Sequence, residues 1–196
     1  MNKLYIFIGR SGAGKGTQVA LLEQKIKAID PTLPTFIVET GKKFRELIAT
    51  KSYTAKLVKA VADTGKLPPP FIGVHMWSHS LIEGYTGAGS VFIDGTPRMP
   101  AEVPLLLTAI EFYDFDTEVV NLCVSDEWAH EHIKSRGRPD DINDKEVWER
   151  IQWYHQSVEP AIDLLRKSSR VTLHDIHGEQ PIEAVHRDIC HALNIQ

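Results

Sequence analysis

The residues best suited to chemistry form a glycine-rich segment near the start of the chain, Gly-Arg-Ser-Gly-Ala-Gly-Lys-Gly-Thr over residues 9–17. Its spacing matches the G-x-x-x-x-G-K pattern of loops that hold phosphate groups. Glycines let the backbone wrap so that successive N–H groups point at phosphate oxygens, and a following helix adds its positive end. Lys15 would reach the outer phosphates of a nucleotide. The residues predicted to contact phosphates are Gly12, Ala13, Gly14, Lys15, Gly16 and Thr17.

A chance glycine-rich turn is the alternative interpretation, since such a match arises by luck in roughly one chain in twenty of this length. The flanking sequence favours the phosphate loop, because residues 4–8 predict a buried strand and residues 15–28 a helix. The usual pattern places Ser or Thr directly after the lysine, where its hydroxyl holds magnesium. Here Gly16 intervenes and the hydroxyl is on Thr17, so the loop is a variant of that pattern.

The elements that must position this loop alternate between short strands and longer helices. Strands are predicted at residues 4–8, 35–38, 90–93, 119–124 and 171–176. We predict that Thr40 caps one of the helices. We also predict that Asp144 caps the longest helix, whose buried stripe is Trp148, Ile151, His155, Val158, Ile162 and Leu165. Such alternation is typical of an α/β fold, a five-stranded parallel sheet with helices on both faces.

Composition limits the classes of protein to which the chain can belong. The chain has 196 residues, 22 basic and 26 acidic, with a net charge of -4, and 42% are hydrophobic. This predicts one folded domain, and the acidic balance argues against a nucleic-acid polymer as partner. Cys123 and Cys190 are too few for a disulfide scaffold or a four-cysteine zinc site. No apolar run reaches the roughly 18 residues of a membrane span, so we expect no membrane contact and a cytoplasmic location.

Further segments continue the chemistry of the loop, and they carry a family resemblance. They are Thr40-Gly41 followed by Arg45, Gly-Lys-Leu-Pro at 65–68, Asp-Gly-Thr-Pro-Arg at 94–98, Arg-Gly-Arg-Pro-Asp-Asp at 136–141, and Glu149-Arg150 with Glu159-Pro160. Together with Gly-Ala-Gly-Lys-Gly-Thr-Gln at 12–18, they resemble the adenylate kinase and nucleoside monophosphate kinase family, in its short-lid form. The resemblance extends over essentially the whole chain.

The resemblance implies a P-loop NTPase fold in one domain, residues 1–196, with a nucleoside monophosphate (NMP)-binding insertion at about 40–70 and a short lid at about 136–144. It implies a reversible, Mg²⁺-dependent phosphoryl transfer from ATP to a nucleoside monophosphate, with AMP expected, by a monomer. Such a transfer gathers several negative charges, so catalysis consists mainly of alignment and charge neutralisation. Arginines suit this task because the guanidinium binds phosphate in fork geometry.

The resemblance also assigns roles to individual residues. It implies that Asp94 orients magnesium through water, with Thr17 as a second oxygen donor, although an Asp-Gly turn is the alternative for Asp94. The implied catalytic residues are Lys15, Arg98, Arg136, Arg138 and Arg150. ATP would bind the loop residues together with His132 and Arg136. The acceptor would bind Thr40, Gly41, Arg45, Leu67, Pro68, Gly95, Arg98 and Glu102.

The chain departs from the family pattern at four places. Glu102 stands where adenylate kinases read the acceptor base with glutamine, unless a one-residue gap aligns Ala101 instead. An ionised carboxylate only accepts hydrogen bonds, which suits guanine better than adenine, so changed or relaxed base specificity is a hypothesis. His132 replaces an arginine that stacks on the donor base, the lid is trimmed, and Arg10 adds a charge beside the phosphates.

Two other functions stay open from the sequence. A small-metabolite P-loop kinase, as in gluconate or shikimate kinases, is disfavoured by Arg45 and the Asp-Gly-Thr-Pro-Arg segment. A nucleotide-binding protein that has lost turnover is favoured by the altered loop, lid and base positions. Two histidine pairs, His75 with His79 and His174 with His177, could bind metal, but surface or packing roles fit them better.

Overall fold

The computed structural model describes residues 2–64, 66–135, 137 and 144–196. Its centre is a sheet of five strands in the order β2-β3-β1-β4-β5, and every neighbouring pair runs parallel. The strands are β1 (Asn2–Gly9), β2 (Thr35–Glu39), β3 (Ser90–Asp94), β4 (Phe115–Cys123) and β5 (Thr172–His177). The predicted five-stranded parallel sheet is confirmed, with each strand within a few residues of its expected place.

Helices connect the strands, as parallel pairing requires. They are α1 (Lys15–Ile29), α2 (Thr40–Ala49), α3 (Tyr53–Ala62), α4 (Pro70–Gly84), α5 (Val103–Phe112), α6 (Asp126–Ser135), α7 (Asp144–Trp153), α8 (Glu159–Arg166) and α9 (Ile182–Ala192). A 3₁₀ turn, Pro100–Glu102, precedes α5. Among the described residues, no helix is long and apolar enough to cross a bilayer.

Side chains of β1 alternate between two apolar cores, one on each face of the sheet. Leu4, Ile6 and Ile8 pack in a core that includes buried residues of α4, α5 and α8. Tyr5 and Phe7 pack in the other core, with buried residues of α1 and α9. Helices therefore cover both faces, as predicted, and they leave the carboxyl ends of the strands available for a site.

The predicted cap at Thr40 is wrong. Thr40 is the first residue of α2, and Glu39 occupies the cap position without a side-chain hydrogen bond. The Thr40 hydroxyl instead shares a hydrogen bond of 2.7 Å with the Thr96 hydroxyl, and both residues are buried. A buried hydroxyl needs a partner, and Thr96 supplies it from the segment after β3. This contact ties the start of α2 to the end of β3.

The predicted stripe of the long helix is also partly wrong. A π-helical segment, Tyr154–Val158, joins α7 to α8. Val147 and Tyr154 are buried in place of Trp148 and His155, and Trp148 is 38% exposed. The observed buried set still follows ordinary helical spacing: Val147, Ile151, Tyr154, Val158, Ile162 and Leu165. The prediction therefore chose a neighbouring face of the same helix at two positions.

Asp144 is likewise the first residue of α7, not its cap. Its carboxylate accepts hydrogen bonds from His130 and Lys134 on α6, at 2.8 Å each. The Asp144 side chain therefore joins α6 to α7. A prediction from local capping preference does not consider such a contact between helices.

Candidate functional site

The glycine-rich segment forms a loop between the end of β1 and the start of α1. Gly12 has a φ of +85°, and a Cβ there would lie 2.6 Å from the backbone oxygen of Ala129, so only glycine fits. Gly14 stands at the cap position of α1 in the left-handed region, with a φ of 87°. No acidic side chain lies in the first turn of α1. The loop thus presents the positive end of a helix, as an anion site requires.

Lys15 closes the loop. Its ammonium donates hydrogen bonds to the backbone oxygens of Gly9 at 2.8 Å and Arg10 at 2.7 Å. Gly16 and Thr17 follow in the first turn of α1 and are exposed. The structure therefore holds a positive charge within the same loop whose backbone is shaped to bind anions.

Asp94 faces this loop from the neighbouring strand. It is the last residue of β3, in register with Phe7 of β1. A Cβ on Gly16 would lie 3.4 Å from Oδ2 of Asp94, so the carboxylate approaches the start of α1 closely. Asp94, one of the two residues predicted to surround magnesium, thus lies close to Gly16, and the other, Thr17, is the next residue along the chain.

Two arginines that were predicted to bind the acceptor, Arg45 of α2 and Arg98, lie close together. The Nε of Arg98 donates to the backbone oxygen of Gly95 at 2.8 Å. A Cβ on Gly41 would lie 3.4 Å from Nη2 of Arg98 and 3.6 Å from Nη1 of Arg45. The Arg98 guanidinium also lies over the Phe44 ring, 5.5 Å from its centroid. Both cations converge where Gly41 leaves room for them.

The electrostatics of this arginine pair favour a nearby anion. Burial lowers the pKa of Arg98; the charges of Glu102 and Asp94 act in the opposite direction, while Arg45 lowers the pKa further. A buried guanidinium next to another is unfavourable unless an anion joins them. The two arginines are therefore a candidate site for an anion, since perturbed groups of this kind cluster at functional sites.

Glu102 lies on the far side of Arg98. Its residue is only 3% exposed, and burial raises the pKa of its carboxyl group. Oε1 accepts a hydrogen bond of 3.3 Å from the backbone N–H of Arg98. A Cβ on Gly73 would lie 3.3 Å from the carboxyl carbon and from both oxygens, so the flat face of the carboxyl group packs on α4.

A small cavity of about 10 Å³ lies among these residues, lined by Thr40, Phe44, Leu67, Pro68, Arg98 and Glu102 together with part of α4. Five of the predicted acceptor residues therefore share one cavity. Phe44 and Gly73 were missed by sequence reasoning. Phe44 precedes Arg45 directly, and an aromatic residue at that position could have indicated a wall for a planar ligand.

The structure describes fewer of the residues that were predicted to contact the donor nucleotide. His132 stacks on Trp128, with ring centroids 4.2 Å apart and an interplanar angle of 17°. Trp128, four residues earlier on α6, was also missed, although i, i+4 spacing on a helix predicts such contacts. Arg150 is a half-buried residue in the last turn of α7. Arg136 and Arg138, predicted to act in the lid, lie outside the described residues.

Arg10 binds acidic groups on two other elements. Its side chain is only 11% exposed, forms an ion pair with Asp126 at the start of α6, and approaches Glu159 of α8 at 3.8 Å. The guanidinium also lies 4.8 Å from the centroid of the Tyr154 ring. Burial raises the pKa of Tyr154 to about 12, so its ring stays neutral. The charge expected beside the phosphates is therefore paired within the protein.

His155 completes this cluster from the π-helical segment. Its Nδ1 lies 3.0 Å from Glu159 and its Nε2 3.1 Å from Asp126. The hydrogen bond to Glu159 raises the pKa of His155 above its ordinary value, and Asp126 adds to the shift. Arg10, Asp126, His155 and Glu159, called here the Arg10 cluster, link the phosphate loop to α6 and α8.

Replacing Arg10 by alanine is expected to lower the free energy of unfolding by about 1–3 kcal/mol, because it removes a nearly buried guanidinium from its ion pair with Asp126 and its contact with Tyr154. Urea unfolding followed by circular dichroism measures this. Arg170→Ala is the matched control, since Arg170 pairs with Glu111 on the surface and its loss is expected within about 0.5 kcal/mol. Equal losses in both variants would contradict the prediction.

The histidine pairs do not form a metal site in the described part of the chain, where no group of three or more His, Cys, Asp or Glu could hold an ion. The rings of His75 and His79 pack against each other at 5.3 Å. His174 contacts Glu118 of the neighbouring strand at 2.8 Å.

Comparison with known proteins gives a consistent result. No family model matches the chain. An adenylate kinase of Corynebacterium urealyticum is 31% identical over 159 residues, covering 81% of this chain and 83% of that protein. Adenylate kinase 1 of Synechocystis is 30% identical and covers 94% of both chains. An adenylate kinase of Flavobacterium psychrophilum is 26% identical, covering 96% of this chain and 97% of its own.

Proposed function

The chain belongs to the adenylate kinase family and is a phosphotransferase, and from this premise we propose the reaction that it catalyses. The reaction is the reversible, magnesium-dependent transfer of the γ-phosphoryl group of ATP to a nucleoside monophosphate. The observation that carries the proposal is the meeting of Arg45 and Arg98 beside Gly41. A second anion site follows the strand next to the phosphate loop, as transfer between two nucleotides requires.

The donor nucleotide would bind the loop. Backbone N–H groups from Gly12 to Thr17 would surround its phosphates, and Lys15 would exchange its contacts with backbone oxygens for contacts with phosphate oxygens. The stacked pair of Trp128 and His132 offers a planar surface for the donor base. We expect the imidazole of His132 to stack on the base more weakly than an arginine would.

Magnesium fits the residues near the loop. The Asp94 carboxylate approaches Gly16, and the exposed Thr17 hydroxyl is in the same turn; both are oxygen donors, which this ion prefers. When bound, Mg²⁺ supplies positive charge to the phosphate oxygens of the donor. We infer that Asp94 orients the water ligands of the ion and that Thr17 contributes its hydroxyl.

The acceptor phosphate would bind Arg45 and Arg98, and its base would enter the cavity between Phe44 and Glu102. Because that cavity has a volume of about 10 Å³, a base enters only when α2, the residues 66–70 and α4 separate. We infer that the NMP-binding insertion, about 40–70, moves as a unit for this purpose. Gly41, Gly95 and Thr40 would line the path of the phosphate.

Phosphoryl transfer then follows from alignment and charge. Lys15 and Arg98 would hold the donor and acceptor phosphates in line, and Arg136, Arg138 and Arg150 would close over the transferring group. Closure excludes water, which otherwise competes as the acceptor. AMP is the first acceptor to test, since the relatives are named adenylate kinases. We also propose a single domain, residues 1–196, a lid at about 136–144, a cytoplasmic location, a monomeric state and no nucleic-acid polymer as partner.

The arginine pair argues against a small-metabolite kinase, because the cavity beside it has apolar walls suited to a base. A coupled assay for ADP, together with isothermal binding of a dinucleotide that bridges both sites, tests the proposal. ADP formation from ATP and a nucleoside monophosphate, with tight binding of the bridged dinucleotide, is the expected result. Binding without turnover would instead identify a nucleotide-binding protein that has lost activity.

Removing magnesium with EDTA is expected to lower the turnover rate by about 10²-fold or more, because several kcal/mol of charge stabilisation is lost. Adding excess Mg²⁺ restores the rate. The Asp94→Asn variant is expected to need a higher Mg²⁺ concentration for half-maximal rate than the natural chain. An unchanged requirement for Mg²⁺ in this variant would remove Asp94 from the ion's surroundings.

A further inference from the structure

Glu102 is placed to read one edge of a planar ligand. One face of its carboxyl group packs on Gly73 of α4, so its hydrogen-bonding directions lie in the plane parallel to that contact. The group lines the same cavity as Phe44, Leu67 and Pro68, whose side chains are apolar. A base held between these walls would present its edge to the carboxyl group, which is the acidic group in the lining of the cavity.

Charged groups around Glu102 are few. Arg98 is the charged side chain that acts on the carboxyl group, and the backbone N–H groups of Arg98 and Met99 bind to it. The 3₁₀ turn that carries Glu102 has no other titratable side chain. From α4 the facing residue is Gly73, and from α2 the cavity receives Thr40 and Phe44, with Arg45 beyond Arg98.

The remaining neighbours of this turn are apolar or screened by Arg98. The buried residues of α8, which packs on the turn, are Ala161, Ile162 and Leu165. Asp94 acts on Arg98 and is not among the groups that act on Glu102. The proton affinity of Glu102 is therefore set chiefly by burial, by Arg98 and by the ligand in the cavity.

The two states of a carboxyl group match different bases. An ionised carboxylate has only acceptors, and guanine offers it two adjacent donors, N1–H and the 2-amino group. A protonated carboxyl group has one donor and one acceptor, as glutamine does, and so pairs with N1 and the 6-amino group of adenine. If the state of the carboxyl group does not match the base, two donors or two acceptors face each other in a buried site. The energetic cost of that arrangement discriminates strongly between the two bases.

We propose that Glu102 selects the acceptor base through its protonation state, with guanine accepted when the carboxyl group is ionised and adenine when it is protonated. The inference rests on the proposed function and makes that function pH-dependent in its choice of substrate. One enzyme would then use AMP at lower pH and GMP at higher pH, through the same cavity and the same arginine pair.

Burial raises the pKa of Glu102 above the ordinary carboxyl value, which extends the protonated form to higher pH. The raised pKa also makes the stability of the fold depend on pH. Between the unfolded and the folded pKa, the folded chain binds more protons, so its stability falls as pH rises through this window. The Glu102→Gln variant lacks this titration, so its melting temperature should rise relative to that of the natural chain as pH increases through the window.

The test measures kcat/KM for AMP and for GMP from about pH 5.5 to about pH 8.5, at saturating ATP and Mg²⁺. Both acceptors have the same phosphate, with a second pKa near 6, so its titration cancels in the ratio of the two constants. The ratio of AMP to GMP is expected to fall by about tenfold per pH unit, because one substrate needs the protonated form and the other the ionised form.

Glu102→Gln provides the decisive comparison, since it keeps the shape of the carboxyl group and removes its titration. This variant is expected to prefer AMP with a ratio independent of pH. Glu83→Gln, an exposed residue near the end of α4, is the matched control and should retain the slope of the natural chain. IMP, which has N1–H but no 2-amino group, is expected to follow the pH trend of GMP at a lower kcat/KM.

A ratio that is flat in the natural chain, or equally sloped in Glu102→Gln, overturns the proposal. Preference for CMP or UMP over both purines would overturn it too, while leaving the phosphotransferase assignment intact. Failure of the proposed function itself has a different signature, namely no ADP from any acceptor in either the natural chain or Glu102→Gln. The melting-temperature comparison needs no turnover and reports the titration of Glu102 alone.

Discussion

Replacing Arg98 by alanine is expected to lower kcat/KM for the acceptor by about 10³- to 10⁵-fold, which is the effect of removing an arginine that neutralises charge in phosphoryl transfer. Arg98 is held in place by the backbone oxygen of Gly95 and by the ring of Phe44. Arg98→Lys keeps the charge but loses the fork geometry, and we expect it to recover only part of the loss. Steady-state kinetics at saturating ATP measure both variants.

Arg187→Ala is the control for Arg98, because Arg187 is exposed on α9, on the face of the sheet opposite α4 and α5. Its kinetics should equal those of the natural chain. The Arg98 variant should also hold the proton of Glu102 to higher pH, since the positive charge that favours the ionised form is gone. Normal acceptor kinetics in a folded Arg98→Ala variant would remove this residue from the site.

Replacing Lys15 by alanine is expected to lower kcat by about 10²- to 10³-fold, the usual effect of losing one preorganised donor to developing charge. The same change removes the hydrogen bonds that close the loop onto the backbone oxygens of Gly9 and Arg10. We therefore expect the affinity for ATP to fall as well, whereas binding of the acceptor is retained. Isothermal titration with ATP and single-turnover kinetics separate the two effects.

Lys167→Ala is the control for Lys15, because Lys167 is an exposed residue just after α8. This variant should bind ATP and turn over as the natural chain does. A Lys15→Ala variant with full kcat and weakened ATP binding would contradict this prediction. It would show that the lysine binds ATP in the ground state without further stabilising the transition state.

Much of the site could be predicted from the sequence because its parts follow strands. The loop comes after β1 and Asp94 ends β3, and parallel strands bring their carboxyl ends to one edge. Short β-rich segments that alternate with helical patterns indicated all five strands. The resemblance of residues 94–98 to a family signature predicted Arg98 as a site residue, and the structure has it just after β3.

Contacts between distant segments could not be predicted in this way. The sequence shows Arg10 as a free charge in the loop, yet Asp126 and Glu159 bind it from far along the chain. The buried stripe from Val147 to Leu165 was partly wrong for a different reason. Helical spacing fits a stripe through Trp148 and His155 as well as one through Val147 and Tyr154, and only packing against the rest of the fold decides between them.

The pairing of β1 with β3 has a consequence for how accurately the two substrates can be aligned. The donor loop leaves one of these strands and the acceptor arginine follows the other, and Phe7 lies directly beside Asp94. Neighbouring strands are about 4.8 Å apart, a spacing fixed by backbone hydrogen bonds. The distance between the start of the donor loop and the start of the acceptor segment is thus set by the paired strands, which are the stiffest part of the molecule. Motions of the outer helices can admit and release nucleotides while this inner spacing stays constant.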